Sequence, residues 1–429
     1  MAKVNILNML NHSRIQELDM QRKLKELLLI LLLTLQLLFF TNLEAQVFSQ
    51  FRGPNRNGHY PDQGLLKSWP ESGPLLKWKV EGVGNGYSSP VIADQRIYVT
   101  GETDSVGYLS VFDLSGKFLW KKEIGDEWME NFTGSRSTPT LVGNLLYICS
   151  SMGKVSCRNV DTGDEVWSVD MVKDLNGINV RFGYSESLLV DGDIIYCAPG
   201  GSDTNVVALN RFNGKMIWKS KALGDSTAYS SPILIKLPSR KMLVTYTIHH
   251  MIGVDADNGD LLWSIPQKED RDIQACTPVY SDGFLYTVNG SGNGAAKYSI
   301  SYDGKTITEI WSNPAISDVH GGFIKLDNYL YTSQYRPRRY CSLDCSTGAI
   351  VDSLKFDKGA IISSDGMLYC YTEKGMVGLV RPDNGRMELI SSFKMPVGTK
   401  EFFTIPAIDC GILYLRHGDT LLAYQIRQD

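Results

Sequence analysis

Polar and ionisable side chains recur at one offset from a repeated Ser/Thr-Pro motif. Ser88-Ser89-Pro90, Ser137-Thr138-Pro139 and Ser230-Ser231-Pro232 set the register. Three residues before the proline, or its counterpart, stand Tyr87, Arg136, Ser185, Tyr229, Ala275, His320, Lys358 and Phe403. Two before it stand Ser88, Ser137, Glu186, Ser230, Cys276, Gly321, Gly359 and Thr404. Most are small or aromatic; Arg136, Glu186, His320 and Lys358 break the pattern with charge or imidazole. With Tyr87 and Tyr229 they make a candidate set for binding a polar or anionic ligand, Arg136 giving bidentate contacts. The same residues also read as walls of a water-filled channel, paired with one another. Glu186 is the one carboxylate of the set, too few for calcium ligation plus a base. No catalytic residue and no metal ligand is assigned.

Other motifs carry less. His249-His250 resembles a metal pair, but adjacent strand residues point to opposite faces. The run Asn289-Gly290-Ser291-Gly292-Asn293-Gly294 suggests a phosphate cradle, yet it joins two strands and opens no helix. Arg336-Pro337-Arg338-Arg339 is a basic loop patch, either solvated or facing an acidic glycan or protein. Gly-x-Ser-x-Gly, His-Glu-x-x-His and EF-hand spacings are missing.

What must position these residues is a unit repeated about every 40 to 50 residues. Each unit has a Ser/Thr-Pro start, an apolar run, a turn, an apolar strand centred on Tyr and a further strand. A Gly-containing turn and, usually, Trp then follow. The strand tyrosines are Tyr98, Tyr147, Tyr196, Tyr246, Tyr286, Tyr331, Tyr369 and Tyr414, which predicts eight units. Trp78, Trp120, Trp167, Trp218, Trp263 and Trp311 are expected to open the first strand of the following unit. There they fill the wedge between neighbouring sheets, each N–H meeting a carbonyl at a turn. Strand-only units of this length predict an all-β fold, an eight-bladed β-propeller of four-stranded antiparallel blades. In such a ring the motif residues converge on the mouth of a central channel.

The bulk composition fits. The 429 residues carry 43% hydrophobic and 21% charged side chains, with a net charge of −4. That balance gives no basic excess for nucleic acid or an anionic membrane. Arg22, Lys23 and Lys25 precede an apolar run from Leu27 to Phe40, and Leu43-Glu44-Ala45 follows. Residues 1–45 therefore read as a signal peptide with its true start at Met20, or as an uncleaved anchor. Residues 46–74 form a Gly/Pro/Asn-rich lead-in expected to pack across one face of the ring, and 75–429 form the propeller. Of the eight cysteines, Cys149, Cys197 and Cys370 fall one or two residues from a strand tyrosine, Cys341 and Cys345 would share one strand face too far apart to bond, and no Cys-Cys or Cys-x-x-Cys occurs. They read as buried free thiols rather than as disulfides, a zinc site or a haem attachment.

The turns at 161–167 and 255–263, the looser one at 113–120 and the Ser-Pro-Val module at 89–98 resemble the pyrroloquinoline-quinone-like propeller repeat family. The lead-in Phe51-Arg52-Gly53-Pro54-Asn55-Arg56-Asn57-Gly58 is similar to the start of many exported bacterial members. The resemblance covers residues 48 to 426. It implies either a quinone-dependent alcohol or sugar dehydrogenase, holding the quinone and calcium, or a non-catalytic scaffold like the outer-membrane assembly lipoprotein. The chain lacks the dehydrogenases' adjacent-cysteine disulfide and the lipoprotein's lipobox cysteine. The expectation is a periplasmic or secreted scaffold that binds an envelope protein or small polar ligand, without a cofactor. A carbohydrate-binding accessory is a further reading, resting on Tyr87 and Tyr229.

Overall fold

The computed structural model describes residues 20, 22–25, 27–29, 48–268, 273–290, 294–319 and 321–428. The expected cleavage point after Ala45 and most of the signal segment lie outside the described residues, as does His320. The chain divides into two units, Met1–Gln46 and Val47–Asp429. In the first, the described residues are helical. No helix among the described residues is long and apolar enough to cross a membrane.

The second unit is a ring of eight antiparallel four-stranded sheets. Blades 1 to 7 occupy residues 91–126, 140–170, 189–220, 233–266, 279–313, 324–354 and 359–394. Blade 8 takes its three inner strands from 407–425 and its fourth from Leu75–Val80, paired to Thr420–Gln425. The two ends of the ring are thus joined inside one sheet. Closure also shows in the packing: eight separate apolar clusters each bridge two consecutive blades, including Ile97, Val99 and Phe112 of blade 1 with Tyr414 and Leu421 of blade 8.

Each of the six repeat tryptophans lies on the fourth, outermost strand of its blade, not on the first strand of the next. Trp120 pairs with Val111 and Trp167 with Cys157, across the hairpin that the glycine turn makes. The turn is capped by an Asp or Asn side chain: Asp113 Oδ1 accepts from Ser115 N at 2.9 Å, and Asn159, Asn210, Asp255 and Asp344 act alike. The indoles then reach sideways to the turn of the following blade. Trp78 donates to Leu114 O at 2.9 Å, Trp167 to Arg211 O at 2.9 Å, Trp218 to Ala256 O at 3.1 Å and Trp311 to Cys345 O at 3.0 Å. The turn glycine faces the ring. At Gly348, φ is +71° and a Cβ would sit 2.4 Å from Trp311.

Two indoles depart from this. Trp120 keeps the packing but its N–H finds no acceptor; the matching carbonyl, Val160 O, accepts only from Tyr98 Oη at 3.4 Å. Trp263 folds back over its cross-strand partner Gly253, whose missing side chain makes room, and donates to Met242 Sδ at 3.1 Å. These differences order the expected stabilities. Trp167→Phe, which orphans a carbonyl as well as removing ring area, should lower the unfolding free energy by about 1 kcal/mol more than Trp120→Phe. Urea midpoints of the two variants decide it; equal losses would remove the hydrogen bond from the account.

The lead-in enters the channel instead of crossing a face. Phe48–Ser49 pairs with the inner edge of blade 2, antiparallel to Thr140–Val142. His59–Tyr60 pairs with the inner edge of blade 7, parallel to Gly359–Ser364. The segment therefore climbs one side of the channel, turns over residues 51–58 and descends the other. Arg52 and Arg56, 1% and 3% exposed, hold the turn. Arg52 donates to Gly321 O and Phe323 O of the approach to blade 6, and Arg56 to Ser187 O and Leu188 O of the approach to blade 3.

Candidate functional site

Above this turn the mouth of the channel opens as a cavity of about 630 Å³. Its wall follows the two-residue period of extended chain. Positions three and one before the motif proline face the cavity: Tyr87 with Ser89, Arg136 with Thr138, Ser185 with Ser187, Tyr229 with Ser231, and Phe403 with Ile405. The hydroxyls of the inner layer also tie blades together. Ser89 N donates to Thr138 Oγ1 at 2.9 Å, Thr138 N to Ser187 Oγ at 3.1 Å and Ser187 N to Ser231 Oγ at 2.9 Å.

Of the sequence-predicted set, Tyr87, Arg136, Tyr229 and Lys358 line this cavity. Glu186 does not. It stands two before the proline position, so its side chain turns into the blade, where it is 3% exposed. Its Oε1 accepts from Ala198 N at 2.8 Å, while Oε2 has no hydrogen-bond partner. Burial pushes this carboxyl up to about 7, against the opposing pull of the Ala198 N–H and the Arg56 charge. Burial also pushes the neighbouring Cys149 and Cys197 thiols up, so both stay neutral at ordinary pH. Between about pH 4.5 and 7 the folded chain therefore holds a proton that the unfolded chain releases, and stability falls as pH rises through that window. Glu186→Gln should abolish the fall, matching the parent near pH 4.5 and exceeding it at pH 8 by about 1–3 kcal/mol. Urea midpoints across that range are the check; parallel profiles would count against it.

The remaining motifs take ordinary places. His250 Nδ1 lies 2.7 Å from Asp225 Oδ2. The described residues contain no group of three His, Cys, Asp or Glu side chains placed for a metal ion. Asn289 and Gly294 pair across a hairpin of blade 5, with residues 291–293 outside the described set. The eight cysteines are free, and Cys410 alone is exposed.

Sequence reasoning did not place the rest of the wall: Phe132 and Phe182 come from the long connections into blades 2 and 3, Phe51 from the lead-in turn, and Tyr335 from the middle hairpin of blade 6, where Arg336 and Arg338, read from sequence only as a basic loop patch, also reach the mouth. Five rings form a continuous run of tilted contacts. Tyr87 to Phe403 is 5.5 Å between centroids, Phe403 to Phe132 5.9 Å, Phe132 to Phe182 5.7 Å and Phe182 to Tyr229 5.5 Å. Tyr87 Oη donates to Glu401 at 2.6 Å; burial, then that bond, pushes its phenol up. Arg136 donates to Gly134 O, Phe132 O and Asn131 O, fixing the loop that carries Phe132. Burial lowers its pKa. Opposite, Lys358 Nζ lies 3.9 Å from the Tyr335 ring centre and 2.5 Å from Glu373 Oε1. Glu373 is the sole carboxylate among the described lining residues.

This donor set does not fit a quinone–calcium pair. Calcium takes several oxygen ligands at once. The one carboxylate present is held by Lys358 and Arg338, and the rest of the charged wall is cationic.

The connections that carry Phe132 and Phe182 and the middle hairpin of blade 2 also expose an apolar rim of Met129, Phe132, Met152, Val172 and Ile178. The three loops that carry it are bound together: Trp128 N donates to Ser151 Oγ at 2.6 Å, Asn131 Nδ2 to Arg181 O at 3.3 Å and Asn179 Nδ2 to Ser151 O at 3.0 Å.

A closed eight-bladed ring with this repeat defines a PQQ-like repeat propeller. The profile of the family described as outer membrane protein assembly factor BamB matches residues 62–168 and 105–353, and the chain belongs to that family. It is similar to the outer membrane protein assembly factor BamB of Shewanella oneidensis, 21% identical over 301 residues, 67% of this chain and 69% of that protein. It is also similar to the quinoprotein alcohol dehydrogenase PedH of Pseudomonas putida, 25% identical over 190 residues, 41% of this chain and 30% of that enzyme. Among solved structures, BamB from Moraxella catarrhalis superposes with a TM-score of 0.59 at 15% identity, covering 83% of this chain and 98% of that one. That likeness is one of fold.

Proposed function

We propose that this chain is an exported, non-catalytic propeller that binds another protein of the cell envelope through the mouth of its channel. The observation that carries the reading is the run of rings in the cavity wall together with the exposed apolar rim on the loops of blades 1 to 3. An apolar surface built on mutually bound loops suits a partner segment laid across it. Two of its members are methionines, whose flexible side chains adapt to a partner's shape. The name of the BamB relatives, assembly factors of the outer membrane, supports an envelope setting and a protein partner for this chain too. The quinoprotein relative keeps a dehydrogenase as the second reading. The cationic wall and the shortage of oxygen ligands count against it.

A photo-cross-linking residue at position 132 or 182, in the cell of origin, should join the protein to one envelope partner. The same residue at Tyr302, an exposed site on blade 5, should not. Purified protein given pyrroloquinoline quinone and calcium should show no dye-linked alcohol or sugar oxidation. Turnover there, or equal cross-linking from all three positions, would sink the scaffold reading.

A further inference from the structure

We infer that the partner segment seated in the mouth is acidic as well as aromatic: a loop or tail with an aromatic side chain and a carboxylate close to it. This rests on the reading of the mouth as a protein-binding site. The two walls of the cavity differ in kind. On one, the rings from Phe403 to Tyr229 line the cavity, a wall suited to one more aromatic group in a tilted contact. On the other, Arg336, Arg338 and Lys358 surround Tyr335.

The charges on that second wall are not balanced. Glu373 is shared between Lys358 at 2.5 Å and Arg338 at 3.4 Å, and Arg338 also pairs with Asp357. Arg336 meets no carboxylate among the described residues; its guanidinium lies 5.7 Å from the Tyr335 ring centre. Across the cavity, Arg136 directs its N–H groups at three backbone carbonyls, and Glu127 attracts it only at longer range. Two arginine charges therefore face the same space. A carboxylate entering it gains charge-assisted, two-pronged hydrogen bonds from Arg336 and the longer-range attraction of Arg136. A basic segment meets like charge there, and a purely apolar one strips water from arginine without replacing it. An acidic glycan would satisfy the arginines equally. It would also set hydroxyls against the rim of Met129, Met152, Val172 and Ile178, which favours a peptide.

The test is a synthetic dodecapeptide library panned against the purified full-length protein. Peptides combining Phe, Tyr or Trp with Asp or Glu should be enriched. The best, carrying a fluorescent label, should bind about tenfold more tightly than its Lys-substituted counterpart, a gap that narrows at high salt. Arg336→Glu, at an exposed position, should close or invert the gap; Phe182→Ala should weaken both peptides alike. Enrichment of basic or charge-free peptides, no enrichment at all, an unchanged gap in Arg336→Glu, or binding of oligogalacturonate in place of peptides would each overturn the inference. If cross-links from positions 132 and 182 still capture one partner in that event, the protein-binding mouth stands and only its acidic preference falls.

Discussion

Arg416→Met should lower the unfolding free energy by about 3–5 kcal/mol, because three buried carbonyls lose their donor at about 1–3 kcal/mol each. Arg416 lies in the second strand of blade 8 and is fully buried. Its Nε donates to Gly418 O at 2.9 Å, Nη1 to Ser88 O at 3.2 Å and to Ser88 Oγ at 2.6 Å, and Nη2 to Gly84 O at 3.0 Å. Residues 84–88 are the approach to blade 1, so the guanidinium spans the seam where the ring closes. Nothing else fits there: a Cβ at Gly86 would come within 2.5 Å of Arg416 Nη2. Burial lowers the guanidinium to about 9, still charged at neutral pH. Four acceptors offset that desolvation. Methionine fills most of the volume but leaves Gly84 O, Ser88 O and Gly418 O without their donor. Urea unfolding should show a lower midpoint with an unchanged slope, since the surface exposed on unfolding is the same. Arg96→Met is the control, because Arg96 pairs with an exposed Asp161 and should cost about 1 kcal/mol or less. A variant of Arg416 as stable as that control would falsify the seam argument.

The ring itself was legible because its signals are local. A tyrosine strand, a turn opened by Asp or Asn, its glycine and the Trp that follows all fall within about 25 residues of chain, as from Tyr98 to Trp120, so the count of eight is read by spacing. Strand assignment was less secure. Each Trp strand sits between the glycine turn behind it and the Ser/Thr-Pro start ahead, and order alone does not say which sheet it joins. Hairpin geometry decides: the turn from Asp113 to Phe118 is tight, whereas the connection from Asp126 to Thr140 is long. The mouth alignment does not depend on that strand assignment, being anchored on the Ser/Thr-Pro motif rather than on Trp. Within that alignment Glu186 was placed one residue out of phase, and a two-residue period then carries a side chain to the opposite side. Phe132 and Phe182 left no periodic trace, since they lie in connections that the repeat does not fix. Phe51 and Arg336 reach the cavity from distant parts of the chain, a convergence only the closed ring reveals.

The lead-in turn gives the second large effect. Arg52→Ala with Arg56→Ala should release residues 50–58 into solvent while most of the ring stays folded. The turn is flanked by paired strands of only two residues each, Phe48–Ser49 and His59–Tyr60. Two such ladders are marginal alone. What holds the turn is a pair of buried guanidiniums pulling in different directions, Arg52 toward blade 6 and Arg56 toward blade 3. Gly58 shows how closely the parts are fitted: at φ +81°, a Cβ there would lie 2.5 Å from Ile324 and 3.0 Å from Arg52. Downstream, Leu65 and Trp69 stay anchored in the apolar cluster between blades 7 and 8, so release should stop before them. Each truncation removes about 3 kcal/mol from the turn and leaves carbonyls such as Phe323 O and Ser187 O unpaired. Limited proteolysis with mass readout should find rapid cleavage between residues 50 and 58 in the double variant and none in the parent. Lysine at both positions should give an intermediate rate, because an ammonium lacks the planar fork that reaches two carbonyls at once. Since Phe51 forms part of the cavity wall, mouth binding should weaken in step with cleavage. Full protection of the turn in the double variant would mean that the strand pairs, not the arginines, close the channel.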